Sequence, residues 1–161
     1  MDDAAVINAS PLILLCRGRK TDLLKSFASR ILVPEPVALE IRAKGSTDIT
    51  ARTIDATPWI EVIPTGRVPG FILEWGLGRG ESSVLAHAVS HPGIVAIIDD
   101  LAARRCAATW GVPVRGTLGI VLAAKQRGLI PSARSVMEEL IASGLYLSPS
   151  LLNAALRKVG E

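Results

Sequence analysis

The sequence predicts an α/β fold with three layers, in which a mostly parallel sheet of about five strands is flanked by helices. Two observations predict it. Short apolar runs of strand length alternate along the chain with longer amphipathic segments, as in consecutive β–α units. One of these runs, Val95-Ala96-Ile97-Ile98, is apolar at every position, which is typical of a strand buried on both faces of a parallel sheet.

The predicted strands are apolar runs that end at a turn, a proline or a charged pair. Val6-Ile7 precedes a polar turn, Pro34 stops the second run, and Pro64 follows the third. The fourth run ends at two adjacent carboxylates, and the fifth follows a glycine. In order, the predicted strands cover residues 6–7, 30–34, 59–63, 95–100 and 111–114.

The predicted helices begin at capping residues or prolines, and most end at glycines. Ser10 is placed to cap the first helix, with Pro11 at its first position, and Gly128 ends another. Residues 45–50 are expected to form a polar link, and residues 69–80 an irregular, glycine-rich loop. The predicted helices cover residues 11–15, 21–28, 37–44, 82–89, 101–110, 118–127, 132–143 and 149–159.

Length and composition predict a single globular domain, residues 1–161, in the cytoplasm. Nearly half of the residues are apolar, and no apolar run reaches the length of a membrane span. Met1-Asp2-Asp3 lacks the basic start of a secretory signal. Cys16 and Cys106 are isolated in apolar segments, which favours buried free thiols in a reducing compartment; a disulfide between them is the alternative.

The charge balance permits nucleic-acid binding without requiring it. The net charge is +3 and the isoelectric point is about 9.2. Aromatic residues make up only 4% of the chain, which argues against a base-stacking surface. Any contact with nucleic acid is therefore expected to be mainly with phosphates.

Polar residues near the carboxyl ends of the predicted strands form the candidate site. Asn8 follows the first strand, and Glu40 lies in the helix after the second. Glu81 opens a helix, and Asp99 and Asp100 end the fourth strand. Converging carboxylates repel one another unless a cation lies among them, and oxygen ligands favour Mg²⁺ or Mn²⁺. Such a site suits metal-assisted phosphodiester hydrolysis, and it requires the carboxylates to approach a shared ion. One aspartate of the adjacent pair can instead cap the helix that follows.

Five segments in this order and spacing identify a family. They are Val6 to Ile13, Val33 to Glu40, Gly78 to Glu81, Ile97 to Arg105 and Gly116 to Gly119. Together they resemble the PIN-domain superfamily of Mg²⁺-dependent nucleases. Within it, the chain is most similar to the prokaryotic PIN-like proteins near the toxin ribonucleases of toxin–antitoxin pairs. The resemblance covers nearly the whole sequence.

The resemblance implies which residues hold the metal ion. Glu40, Glu81 and Asp100 match acids that ligate metal and support catalysis in the family, and Asp99 is an adjacent carboxylate that can share the role. Asn8 stands where the family usually has its first acid. An amide oxygen can ligate Mg²⁺, but it brings no charge and accepts no proton.

The resemblance also implies contacts to the substrate. Ser10 matches a small hydroxyl residue two positions after the first acid, which would bind a ligand or the substrate phosphate. Arg104 is placed to contact a phosphate, although helix-surface arginines are usually only solvated. Thr117 matches a residue near the acidic site, and a helix N-cap is an equal interpretation of it.

The implied function is a Mg²⁺-dependent (or Mn²⁺-dependent) ribonuclease that hydrolyses RNA phosphodiester bonds as the toxin of a toxin–antitoxin pair. The implied partners are RNA, a cognate antitoxin protein and a second copy of the chain in a homodimer, without a membrane. The alternative is a catalytically degenerate PIN-like module that binds RNA or protein, because Asn8 replaces the first acid. A nucleotide-binding regulator built on glycines 76–80 is disfavoured, since the third glycine is misplaced. His87 and His91 are interpreted as ordinary surface or core histidines.

Overall fold

Within residues 2–161, which the computed structural model describes with side chains from Asp3 onward, five strands form one parallel sheet. The strands are Asp2–Ile7 (β1), Ala28–Pro34 (β2), Ile60–Ile63 (β3), Val95–Ile97 (β4) and Val114–Arg115 (β5). Their order in the sheet is β3-β2-β1-β4-β5. The predicted α/β fold is confirmed, and the sheet is parallel throughout.

The strand order reverses beside β1, which pairs with β2 on one side and β4 on the other. Ala5, for example, lies opposite Ile31 in β2 and Val95 in β4. In open parallel sheets, ligands bind beyond the carboxyl ends of the strands at such a reversal. The end of β1 and the end of β4 therefore mark the expected position of a site.

Helices flank the sheet on both faces. They are Ala9–Arg17 (α1), Asp22–Phe27 (α2), Glu35–Arg42 (α3), Ile49–Ala56 (α4), Gly70–Leu73 (α5), Arg79–Ser90 (α6), Leu101–Thr109 (α7), Thr117–Gln126 (α8), Ala133–Ala142 (α9) and Pro149–Arg157 (α10). Helix α8 packs against α2 and α9, and α6 packs against α5 and α7. A search of the helices in residues 2–161 finds none with the length and apolar character of a membrane span.

Two helices occupy segments for which no helix is predicted. Helix α4 follows the polar link, and Asp48 caps it by accepting hydrogen bonds from the backbone N–H groups of Thr50 (3.0 Å) and Ala51 (3.2 Å). An aspartate before Ile49 and Ile54 is a usable start signal for this helix. Helix α5 is a single turn inside the glycine-rich loop, too short for a periodic pattern to reveal.

Several predicted boundaries are wrong, and three of them concern the candidate site and the first strand. Ser10 lies inside α1 rather than capping it, because the helix begins at Ala9 and Asn8 is its N-cap residue. Strand β1 covers Asp2–Ile7, so Asp3 belongs to the strand rather than preceding it. Strand β4 ends at Ile97, so the two aspartates follow the strand rather than form its end.

The core lies between the sheet and the helices, and it contains both cysteines. Val6, Ile7 and Ile97 are fully buried in the central strands. Cys16 and Cys106 are buried free thiols, as predicted. Burial raises the pKa of both thiols, which keeps them protonated and unreactive at neutral pH.

The carboxylate of Glu161 holds the first turn of α9. It accepts hydrogen bonds from the backbone N–H groups of Ala133 (2.6 Å) and Arg134 (3.2 Å) and from the Ser132 hydroxyl (3.0 Å). These bonds, that from Ala133 above all, lower the pKa of Glu161 below its usual range. A carboxylate at a helix N-terminus is also stabilised by the helix dipole.

Glu161→Gln is expected to lower the melting temperature at about pH 7, because the amide carries no charge for these N–H donors. Since the pKa of Glu161 is lower in the folded chain, its stabilisation is present above the unfolded pKa and is lost as pH falls through the folded pKa. Melting curves recorded from about pH 7 to about pH 3 should therefore converge for the two proteins. Glu138→Gln, at an exposed position of α9, is the control. Equal melting temperatures for Glu161→Gln and wild type at neutral pH would contradict this assignment.

Candidate active site

The ends of β1 and β4 are joined where the strand order reverses. The backbone N–H of Asn8 donates to the carbonyl of Ile97 (3.0 Å). Asn8 is 5% exposed, so its side chain is held among neighbouring groups rather than in solvent. Its side chain makes no cap hydrogen bond to α1, which leaves the amide free for a different contact.

Glu40 and Asn8 meet at the first turn of α6. A Cβ atom at Gly80 would lie 3.1 Å from Glu40 Oε2 and 3.5 Å from Asn8 Oδ1. Only a residue without a side chain lets both oxygens come so close to the α6 backbone. Helix α6, helix α3 and the end of β1 therefore meet at this point.

Glu81 lies close to two other acids. Burial is the largest cause of its raised pKa, and the negative charges of Asp100 and Glu40 raise it further. A hydrogen bond from the backbone N–H of Gly78 (3.2 Å) to Glu81 Oε2 opposes the rise. The three predicted acids thus interact electrostatically through Glu81.

Asp100 is the N-cap residue of α7. Its Oδ2 accepts a hydrogen bond from the backbone N–H of Ala103 (2.9 Å). The alternative that one aspartate of the pair caps the following helix is therefore confirmed, and the capping residue is Asp100. Its side chain is exposed and retains the other oxygen, Oδ1, for a further partner.

Asp99 binds the start of α8. Its Oδ1 accepts from the backbone N–H of Thr117 (2.7 Å), and its Oδ2 accepts from the Thr117 hydroxyl (2.6 Å). Thr117 is fully buried and is the first residue of α8, where Gly116 is the N-cap. Thr117 is therefore not the N-cap of α8, which is the residue before it. The Asp99 carboxylate accepts the hydrogen bond from the first N–H group of the helix.

The acids do not form a closed cluster. Within residues 3–161, no three aspartate, glutamate, histidine or cysteine side chains are arranged to hold an ion together. Glu81, Asp99 and Asp100 instead direct oxygens to backbone N–H groups at the starts of three helices. Within residues 3–161, the acids therefore do not make the approach to a shared ion that the sequence hypothesis requires. Asp100 and Glu40 are near enough to Glu81 only for their charges to raise its pKa.

The predicted substrate contacts lie around these acids. Arg104 is half-buried, and its Nη1 donates to the carbonyl of Ile98 (3.0 Å), which directs the guanidinium to the end of β4. Ser10 is exposed in the first turn of α1, two residues after Asn8. Thr117, in contrast, is enclosed and already bonded to Asp99.

Two glycines matter to this geometry, and neither is predicted as a site residue. Gly80 admits the oxygens of Glu40 and Asn8, and Gly116 admits Asp99 and Arg104. The sequence signal that could have identified them is their position, because each directly precedes a candidate site residue, Glu81 or Thr117. A glycine next to a candidate site residue at a helix start indicates a close approach of the backbone.

Gly116→Ala is expected to lower the free energy of unfolding by about 1–3 kcal/mol, because overpacking displaces well-fitted neighbours. A Cβ atom there would lie 2.8 Å from Arg104 Nη1 and 2.9 Å from Asp99 Oδ1. Its φ of −95° suits alanine, so the loss would come from this crowding and from the poorer fit of alanine to an N-cap position. Urea unfolding provides the measurement.

Gly119→Ala is the matched control within α8. A Cβ there contacts only the Arg115 side chain, at 3.4 Å. Because alanine forms helix more readily than glycine, stability is expected to rise by up to about 1 kcal/mol. Equal effects of the two substitutions would contradict the close packing at Gly116.

A family model described as a PIN domain matches residues 4–161. No curated protein sequence matches the chain. The match spans nearly all of the sequence and includes every residue of the site described above. The fold is thus of a nuclease type, in a family whose members generally use divalent metals, and the chain belongs to the PIN-domain family.

Proposed function

We propose that this chain is a metal-dependent ribonuclease in which Glu40, Glu81 and Asp100 bind Mg²⁺ or Mn²⁺. The observation that carries the proposal is the convergence of Glu40 Oε2 and Asn8 Oδ1 on Gly80, the residue before Glu81, where the strand order reverses. In this proposal Asn8 contributes its amide oxygen in place of a fourth charge. Asp99 is the second aspartate that can share the ion.

The donor set fits such an ion in its chemistry. All five candidates offer oxygen, and Mg²⁺ in proteins usually takes one or two carboxylates together with waters and substrate phosphates. A site without a closed three-carboxylate cluster is compatible with this coordination preference. When bound, the ion would polarise a water and stabilise charge on the leaving oxygen.

The other residues have positioning roles in this proposal. Thr117 fixes Asp99 by two hydrogen bonds, which holds the segment between β4 and α7 in place. Arg104 has further N–H donors beyond the one bound to Ile98, and these suit a phosphate oxygen. The exposed Ser10 hydroxyl is available to the substrate on the side of Asn8.

RNA cleavage with and without metal tests the proposal. Purified protein is incubated with single-stranded RNA in Mg²⁺, in Mn²⁺, and in either metal with excess chelator. The proposal expects cleavage that requires metal and is lost on chelation. Cleavage that persists in chelator, or none in either metal, would contradict it.

A degenerate binding module is the second candidate, and Asn8 is the observation that favours it. A nearly buried amide beside Glu40 supplies no charge for a cation. This candidate expects RNA or protein binding in chelator and no cleavage in metal. If Asn8→Asp recovers RNA cleavage, the chain is a degenerate nuclease rather than a protein unrelated to RNA.

As further parts of the proposal, we infer a single-domain cytoplasmic toxin that forms a homodimer and is held inactive by an antitoxin protein. The resemblance of the sequence to the toxin ribonucleases of the PIN-domain superfamily supports this inference. Expression of the wild-type chain should arrest bacterial growth, and Asp100→Asn should not. Normal growth with both would contradict the toxin role.

A further inference from the structure

A groove runs along α6, on the same helix as Glu81. It lies between α6 and the segment after β3, residues 64–67, and its volume is about 360 Å³. The polar groups that line it are Thr65, Arg67, Ser83, His87, Ser90 and His91. We call it the α6 groove.

The charges of the α6 groove are of one sign. Its lining includes the guanidinium of Arg67 and the imidazoles of His87 and His91, but no carboxylate. Among residues 3–161, no acidic side chain forms a salt bridge with Arg67. A concave site with uncompensated positive charge favours an anion.

The two histidines are fixed relative to each other. Their rings are stacked, with centroids 4.1 Å apart and planes 17° from parallel. His91 Nδ1 lies 2.9 Å from the carbonyl oxygen of His87, so it carries the proton and donates. This leaves the Nε2 atom of His91 for another partner.

The hydroxyls that line the groove do not supply its donors. Thr65 Oγ1 is buried and has no hydrogen-bond partner within the described chain, so a ligand in the groove does not reach it. The hydroxyls of Ser83 and Ser90 already donate to carbonyls of α6, so they are not competing donors.

The groove and the candidate active site lie on the same helix, α6. Gly80, beside Glu40 and Asn8, and Ser83, which lines the groove, are both buried, so an RNA strand would not follow this face of the helix. His87 is seven residues after Gly80, about 10 Å along the helix axis at 1.5 Å per residue. That distance is short enough for one RNA strand to reach both sites.

We propose that the α6 groove binds a backbone phosphate of the RNA strand, through Arg67, His87 and His91. This inference rests on the proposed ribonuclease function, because it treats the groove as an extension of the same RNA path. The groove would position the strand and take no part in the bond cleavage.

Affinity for the phosphate is expected to rise as pH falls, because protonation adds charge to the His87 imidazole. The charged groups that line the groove with His87 are Arg67 and His91, and Asp3 lies on the far side of His91. Burial, and then the charge of His91, lower the pKa of His87, so it is neutral in the free protein at neutral pH. A bound phosphate would raise the pKa of His87, because its negative charge favours the protonated imidazole.

The test is the binding of a fluorescent single-stranded RNA in chelator, where metal-dependent cleavage is prevented. Arg67→Gln is expected to weaken binding by about tenfold and to reduce the salt slope by about 0.7. His87→Gln is expected to remove most of the affinity gained between about pH 7.5 and about pH 5.5. Arg157→Gln, an exposed arginine of α10, is the control for the loss of one charge.

The outcomes separate this inference from the proposed function. Equal affinities of Arg67→Gln and Arg157→Gln would overturn the groove assignment, even if wild type cleaves RNA in Mg²⁺. Arg67-dependent binding without cleavage would support the groove and contradict the nuclease. A third outcome is that inorganic phosphate shifts the NMR resonances of the His87 imidazole while Arg67→Gln leaves RNA affinity unchanged. That result would assign the groove to free phosphate and overturn the proposal.

Discussion

Asp100→Asn is expected to lower Mg²⁺-dependent RNA cleavage by about 10²-fold or more, equivalent to about 2.7 kcal/mol in the barrier. The substitution removes one charge from the acids around Glu81 and keeps the shape of the side chain. Asparagine caps helices as well as aspartate does, so it can still accept the hydrogen bond from Ala103. The fold should therefore keep its stability while the rate falls.

Initial rates at saturating Mg²⁺ and urea unfolding, measured on the same preparations, check both parts of this expectation. Glu138→Gln removes an exposed charge from α9 and should leave rate and stability unchanged. Asp100→Ala should lose the cap as well, with about 1 kcal/mol of stability. A wild-type rate in Asp100→Asn would show that Asp100 serves only as a cap.

The parallel sheet and most of its helices are predictable from the sequence because the signals are local. The apolar run ending at Ile98 is too short for a helix and too apolar for an edge strand. Ser132 and Ser148, at the starts of two predicted helices, cap α9 and α10. Helix α5, in contrast, has one turn, and its position depends on packing against α6.

The candidate site is predictable in its residues but not in its hydrogen bonds. The positions of Asn8 and Asp99 beyond strand ends follow from the topology alone. Asp99 binds Thr117, which lies eighteen residues later in the chain. This contact forms because β5 pairs with β4 and places the start of α8 beside Asp99, and no local sequence pattern predicts that pairing. Similarly, the α6 groove depends on a loop that follows an edge strand.

Asn8→Asp is expected to separate a working metal site from a degenerate one. Asn8 is 5% exposed, and its Oδ1 and Glu40 Oε2 both lie close to Gly80. A second carboxylate there is buried beside a like charge, so the free energy of unfolding in chelator at neutral pH should fall by about 2 kcal/mol. Asn153→Asp adds the same charge to an exposed position of α10 and should not destabilise the chain.

Metal is expected to reverse this loss in Asn8→Asp. An ion that binds only the folded chain adds about 2.7 kcal/mol at one hundred times its dissociation constant, which would restore wild-type stability or exceed it. If the asparagine limits catalysis, cleavage should rise by at least about tenfold in the same variant, since a charged ligand replaces a neutral one. If cleavage is unchanged while Mg²⁺ restores stability, the amide already suffices and the wild-type chain is a complete nuclease. Destabilisation that Mg²⁺ does not relieve would instead mean that Asn8 faces no metal, and the acids beyond β4 would then serve the caps of α7 and α8 alone.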